Sequence, residues 1–250
     1  MNSASETRTK KVLQHPHPAE ADGSRLSRCR SDHYLAKSLR DAIARHTRIW
    51  GETKRFGRVV DFGCGTMPYA NLIRPVCSDY IGCDLVGTGA AVEFKAGCQV
   101  PIDNASADRL VSFQVLEHVD DIAWYLKEAR RMLAADGQLL LSTHGVWPYH
   151  PHPHDYRRWT REGLILDLER NGFEIEHVEA LVGPGAWTLI FQSGAIALGM
   201  EKLGAVGRLA AAALNYIGSW ILPLVDQMTP AKLRDTNASV YPVSARPRLI

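Results

Sequence analysis

The sequence predicts an α/β fold: a doubly wound, mostly parallel sheet of about seven strands, with an apolar helical insertion near the C-terminus. Three observations carry this. Short β-rich runs alternate with stretches of helical period, the pattern of parallel strands joined by crossover helices. The run Val59-Val60-Asp61-Phe62 leads straight into the glycine turn Gly63-Cys64-Gly65-Thr66, and a second strand ends in Asp84, nineteen residues past Gly65. Residues 186–228 form a long, almost uncharged apolar tract.

The elements follow in order. With 250 residues the chain can bury a full core, and one domain with additions is the natural count. Residues 1–24 are polar, contain His15-Pro16-His17-Pro18 and lack an apolar period, which predicts a disordered arm. Net charge is only +2, yet residues 1–58 hold thirteen Lys/Arg against six Asp/Glu. A solvated basic arm is the favoured reading, and attraction to nucleic-acid or membrane phosphates is the sharper one. From Asp32 a helix is predicted, with Leu35, Leu39 and Ile43 on one face. Strands follow at 58–62, 79–84, 91–95 and 109–114, with Pro68 suited to the first turn of the helix after the first strand. After Asp120-Asp121 comes a helix striped by Ile122, Tyr125, Leu126, Ala129, Met132 and Leu133. Asp136-Gly137 turns into a strand at 138–143. Thr160 is the predicted N-cap of a helix to Arg170, which Asn171-Gly172 ends before a strand at 173–181.

Ligands of such sheets bind outside the carboxyl ends of the strands, which places Gly63, Gly65, Asp84, Gln114 and His144 around one crevice. Glycines let the backbone approach a ligand, and an acid at the second strand tip accepts hydrogen bonds from ribose hydroxyls. A dinucleotide fingerprint needs a third glycine three residues after the second, and here that place is Pro68. Asp61 is out of place beside a pyrophosphate and suits a cationic ligand, such as the amino group of a methionine moiety. The cofactor these residues imply is S-adenosylmethionine.

Further segments agree: Tyr-Ile-Gly-Cys-Asp-Leu at 80–85, Val-Pro-Ile at 100–102, Ala-Asp-Arg-Leu-Val-Ser-Phe-Gln-Val-Leu-Glu-His-Val at 107–119 and Asp-Gly-Gln-Leu-Leu-Leu-Ser-Thr at 136–143. In this order and spacing, the chain resembles the class I S-adenosylmethionine-dependent methyltransferases over about residues 35–181 and again near the C-terminus. The resemblance implies a Rossmann-like core at 25–185. It implies that Asp61, Gly63 and Gly65 line the methionine and ribose side, that Asp84 holds the ribose hydroxyls and that Gln114 touches the cofactor. It implies that Glu117-His118 shapes the loop, and that a final antiparallel strand lies within 231–250, matched to 239–246. Pro242 fits an interior strand poorly because it cannot donate to the ladder. Many relatives carry an adenine-contacting acid where this chain has Ala96, so other groups must recognise the base.

The distinctive segment is 144–160, His-Gly-Val-Trp-Pro-Tyr-His-Pro-His-Pro-His-Asp-Tyr-Arg-Arg-Trp-Thr, which follows a strand tip and should overhang the crevice. A histidine base oriented by Asp155 fits that position, with His154 and His150 the candidates. Alternation of His150, His152 and His154 leaves metal binding as a rival reading, but no fourth ligand is indicated and none is assigned. A rigid lid with a purely structural role also stands open. Arg157 and Arg158 would pair with an anionic acceptor or form a solvated helix entrance.

Residues 186–230 read first as an apolar helical cap on the acceptor pocket, second as a membrane-docking or dimer segment, and third as a span. Arg208 and Asp226 bracket only seventeen residues, which Asn215 and Pro223 interrupt. Five cysteines without a CxxC pair predict reduced, buried thiols, and the N-terminus lacks the apolar run of a secretory signal. The expectation is a cytoplasmic enzyme, peripheral to the inner membrane face if the tract meets lipid. The expected reaction is methyl transfer, to oxygen, on a small-molecule, lipid-linked or glycan acceptor. RNA methylation is the enzymic rival, weakened because Gln114-Val115-Leu116-Glu117 stands where an Asn/Asp-Pro-Pro-aromatic tetrad would serve amino methylation. A non-catalytic binding module is the rival of another class, and Asp61, the two glycines and Asp84 argue against it.

Overall fold

The computed structural model describes residues 27–53 and 56–248, so the predicted arm at 1–24 lies outside the described residues. Elements run α1 (His33–Thr53), β1 (Phe56–Phe62), α2 (Ala70–Ile73), β2 (Cys77–Leu85), β3 (Val92–Phe94), β4 (Ala107–Phe113), α3 (Ile122–Met132), β5 (Leu133–His144), α4 (Arg161–Arg170), β6 (Phe173–Val178), α5 (Pro184–Glu201), α6 (Gly204–Met228), α7 (Ala231–Thr236) and β7 (Val240–Pro247). Seven strands form one sheet in the order β3-β2-β1-β4-β5-β7-β6, all parallel except β7. The order reverses between β1 and β4, which is the topological switch point where such sheets open a ligand crevice.

Period-two alternation divides the core into two layers. Val60, Phe62, Leu110, Leu139 and Leu141 pack against α3 on one face. Their neighbours Val59, Val111 and Leu140 pack on the other face against Leu35, Leu39 and Ile43 of α1. The caps match their sequence signals: the Asp121 carboxylate accepts from Trp124 N at 3.0 Å, and Thr160 Oγ1 accepts from Gly163 N at 3.1 Å. Gly172, at φ +85°, ends the turn after α4.

Four local expectations change. Pro68 lies two residues ahead of α2, a single turn continued by a 3₁₀ turn at Arg74–Val76, and so does not occupy the first helical turn. β5 starts at Leu133, because a bulge between Ala107 and Arg109 of its partner accommodates the Asp136-Gly137 turn before regular pairing resumes at Gln138. The strand predicted at 173–181 stops at Val178, and Leu181 adds an isolated bridge to Val240. Pro242 does sit inside an interior strand, opposite Ser142 of β5. Its carbonyl accepts from Glu179 N, just past the end of β6. A residue's N and C=O point to the same side of a strand, so the missing donor faces the end of β6 and no bond to β5 is lost.

Of the cysteines, Cys64, Cys77 and Cys83 are buried free thiols as expected, whereas Cys29 and Cys98 are exposed.

Candidate active site

The glycine turn is built from backbone. Gly63, at φ +77°, donates its N–H to Cys83 O at 2.8 Å, and a Cβ there would lie 2.6 Å from Val115 Cγ1. Gly82 lets the turn lie across β2, since a Cβ would meet Cys64 Sγ and Met67 Sδ at 2.8 Å. Gly65, at φ +49°, has nothing within 4 Å of its Cβ position and so faces open space. Its N–H donates to Asp84 Oδ2 at 2.7 Å, and Leu85 N donates to Oδ1 at 2.7 Å. Asp84 thus braces the turn with one lone pair on each oxygen and keeps acceptor capacity for a pair of hydroxyls.

Asp61 is buried at the end of β1 and accepts from the Tyr80 hydroxyl. Burial pushes its carboxyl up to about 7, with the Asp84 charge adding to the rise and the Tyr80 bond opposing it. A cation beside it would reverse that cost. Gln114 stands at the β4 tip in a left-handed conformation at φ +57°, buried, with its Nε2 donating to Ser142 Oγ at 3.1 Å. The side-chain amide is therefore held against the end of β5.

The second half of the site is made by the lid. Parallel pairing of β4 with β5 sets their carboxyl tips side by side, which brings Glu117 next to His144. Glu117 is 0% and His144 1% exposed, and Glu117 Oε1 lies 3.6 Å from His144 Nε2. Thr143 Oγ1 donates to the other carboxylate oxygen at 2.8 Å. The lid is tied down over this pair: Tyr156 N donates to Glu117 O at 2.8 Å, and Trp159 N to His144 O at 3.1 Å. His150 closes the cluster, its ring edge-on to those of His144 and His118 with centroids 4.9 and 5.0 Å away.

Burial raises the Glu117 carboxyl to about 7, and burial lowers His150 to about 4, helped by neighbouring His118. His150 is therefore neutral at physiological pH.

Asp155 partners His150 and not His154. It accepts from His150 N at 2.9 Å, lies 3.5 Å from His150 Nδ1, and receives both Arg158 guanidinium nitrogens at 2.5 and 2.6 Å. Although burial alone would raise it, the Arg158 hydrogen bonds and charge hold its carboxyl down at about 2. His154 stands apart: it is exposed, its ring is 5.5 Å from that of Tyr156, and only its carbonyl reaches the cluster, at 2.6 Å from His118 Nδ1. The alternating trio His150, His152 and His154 therefore does not converge. Arg157 bonds the Val119 and Asp120 carbonyls, and Arg158 the Trp147 and Pro148 carbonyls, so both arginines anchor the lid.

Sequence reasoning missed Glu117 as a member of the cluster and Arg158 as the partner of Asp155. For Glu117 a signal existed, because Glu117 and His144 each follow the tip of one of two adjacent parallel strands. For Arg158 there was none, because Asp155 and Arg158 lie in an irregular segment ahead of α4, where an i, i+3 spacing implies no contact.

An aromatic chain leads away from the cluster. His144 stacks on Trp147 at 5.2 Å, Trp147 meets Phe191 at 5.6 Å, and Phe191 meets Trp187 at 5.4 Å. Phe191 and Trp187 belong to α5, which with α6 forms a hairpin turning at Gly204, φ +74°. The hairpin base packs on α1 and the sheet through Ala186, Ile190 and Leu222. Its far end is apolar and bare, with Leu203, Val206 and Leu209 exposed by 74, 80 and 73%. α6 is long and apolar enough to cross a membrane by length and composition.

The sequence profile of the methyltransferase domain matches residues 31–178. The chain belongs to the S-adenosylmethionine-dependent methyltransferase family. It is 32% identical over 134 residues to a probable S-adenosylmethionine-dependent methyltransferase of Mycolicibacterium smegmatis, covering 47% of this chain and 52% of that one. The chain thus spans about half the length of that relative. Among solved structures, an S-adenosylmethionine-dependent methyltransferase from Mesorhizobium loti superposes with a TM-score of 0.51 at 18% identity, over 83% of this chain and 99% of that one. A Haemonchus contortus phosphoethanolamine N-methyltransferase with bound S-adenosylhomocysteine gives 0.54 at 18% identity, over 84% and 52%. Likeness at this identity carries the fold, and the reaction must be argued from the site.

Proposed function

We propose that the protein transfers the methyl group of S-adenosylmethionine to a hydroxyl of an acceptor with an apolar portion, a lipid-linked or glycoconjugate molecule or a small amphiphile. The observation that carries this is the aromatic chain from His144 through Trp147 and Phe191 to Trp187, which joins the lid to the exposed apolar hairpin. In this reading Asp84 takes the ribose hydroxyls, Gly63 and Gly65 admit the cofactor, and Asp61 faces its ammonium. Exposed Leu85 and Val86 beside Asp84 offer an apolar face for adenine, in place of the acid that Ala96 lacks.

Transfer is an in-line displacement: the acceptor oxygen forms a bond to the methyl carbon as the carbon–sulfur bond breaks and neutral thioether leaves. Proximity in a site closed to water supplies most of the rate. His154, the exposed lid histidine, takes the hydroxyl proton, while His150 and Asp155, built into the buried cluster, position the lid. The hairpin tip, flanked by Lys202 and Arg208, docks on an anionic lipid surface at the inner face of the membrane and delivers the acceptor to the lid.

The test is methyl transfer from labelled cofactor to lipid-linked and soluble glycan acceptors, with vesicle flotation alongside. Labelling of an amphiphilic hydroxyl acceptor, cut about 100-fold by His154→Ala with cofactor affinity unchanged, is expected. Labelling confined to RNA or to amines would overturn the reading.

A further inference from the structure

The geometry points to a divalent-metal site of the zinc class formed by Glu117, His144 and His150 beneath the lid. Among the described residues these three are the group whose donor atoms, one from each, all lie within 4.8 Å of one another. Two of the donors, Glu117 Oε1 and His150 Nε2, are buried without a hydrogen-bond partner. Burying such atoms unpaired is costly, more so for a charged group, so a buried orphan calls for an explanation. A metal supplies one for both at once.

The spacing suits a small tetrahedral ion. Bonds of about 2.0–2.1 Å to nitrogen and oxygen set ligands roughly 3.4 Å apart, and Glu117 Oε1 and His144 Nε2 are 3.6 Å apart. His150, carried by the lid, closes the remaining distance.

Each ligand is also held from behind, as metal ligands are. Thr143 Oγ1 donates to Glu117 Oε2, His144 Nδ1 lies 3.3 Å from Ser239 O, and His150 Nδ1 lies 3.2 Å from Arg158 Nη2 and 3.5 Å from Asp155 Oδ2. Metal binding at His150 Nε2 requires the ring proton on Nδ1, donated to Asp155, with Arg158 Nη2 left to Pro148 O and Asp155 Oδ2. These contacts turn the far ring nitrogens and the free carboxylate oxygen toward one point. Two imidazoles and one carboxylate select a borderline transition cation over Mg²⁺ or Ca²⁺, which take oxygen donors. Three protein donors leave a fourth position for water or another oxygen ligand. The ion would bolt the lid to the tips of β4 and β5. This inference does not depend on the methyl-transfer reading, because occupancy is read without cofactor or acceptor.

The test is titration of the chelator-treated full chain with Co²⁺, followed by its visible absorption, and with Zn²⁺ in competition against a chromophoric chelator. One equivalent with the intense spectrum of a tetrahedral nitrogen–oxygen site is expected. Glu117→Gln and His150→Ala should weaken binding at least 100-fold, Asp155→Asn by about 10–100-fold, and His154→Ala not at all. Retained S-adenosylhomocysteine binding, or failing that an unchanged circular dichroism spectrum, certifies that each variant is folded. Failure of the wild-type chain to bind either ion, or equal binding by folded Glu117→Gln, would overturn the site.

Discussion

The two halves of the crevice are built by opposite means. On the β1–β2 side, backbone does the work: left-handed Gly63 and Gly65 shape the turn, and the Asp84 side chain is held by two peptide N–H groups. On the β4–β5 side, the surface is made by side chains from three separated segments, Glu117, His144 and the 150–158 lid, locked by Asp155 and Arg158. The first arrangement depends on glycines at fixed backbone positions. The second depends on side chains that meet only through tertiary packing. A fold that keeps one half fixed and varies the other supports many reactions with one cofactor.

This division can be broken or sharpened by substitution. The largest effect is expected at Asp84. Its replacement by Ala removes both ribose acceptors and releases Gly65 N and Leu85 N, so S-adenosylhomocysteine affinity should fall about 1000-fold, at ~1.5–3 kcal/mol for each charge-assisted bond. Calorimetry checks it.

Asp155→Ala tests the other side. It leaves Arg158 without its carboxylate and should cost about 3 kcal/mol in denaturant unfolding, while cofactor affinity changes less than twofold. If affinity collapsed as well, the halves would not be independent.

A smaller effect concerns pH. Asp61 titrates near 7 in the folded protein and must be ionised to face an ammonium, so affinity should rise about tenfold from pH 6 to pH 8 and flatten in Asp61→Asn. Carboxylate titration elsewhere in the crevice would leave the slope intact in the variant.

The smallest concerns stability. Glu117 has a folded pKa raised to about 7, above the usual carboxylate value, so the folded state holds its proton more tightly than the unfolded chain. The stability this contributes is fully present below about pH 4 and is lost as pH rises through 7. Glu117→Gln keeps the shape without that loss. In chelator, its Tm relative to wild type should therefore improve between pH 5 and pH 8, most of the change falling below pH 7. A constant difference would place the Glu117 titration elsewhere.

Sequence legibility follows the same division. The strand–turn–strand with Asp84 was readable because it is local: it needs glycines and an acid at fixed spacing, and the chain supplies them in one stretch of 26 residues, 59–84. The helix at 161–170 was readable from its cap residues alone, Thr160 and Asn171-Gly172. Strand β7 was found within one residue, and the objection that Pro242 raised is answered by the end of β6, a tertiary fact that no local rule contains. The lid was legible as a lid, but its partners were not. Asp155 was matched to a histidine base in general, and only the folded chain shows it bonded to His150 and Arg158, with His154 exposed beside Tyr156. Glu117 is buried by packing from β5 and the lid, and burial of that kind leaves no periodic trace in its own neighbourhood.

The central claim is that the Gly63–Asp84 half holds S-adenosylmethionine. Titrating S-adenosylhomocysteine into the wild-type chain by calorimetry tests it most directly. The account predicts saturable one-to-one binding. Absence of saturable heat, with the chain folded, would contradict it.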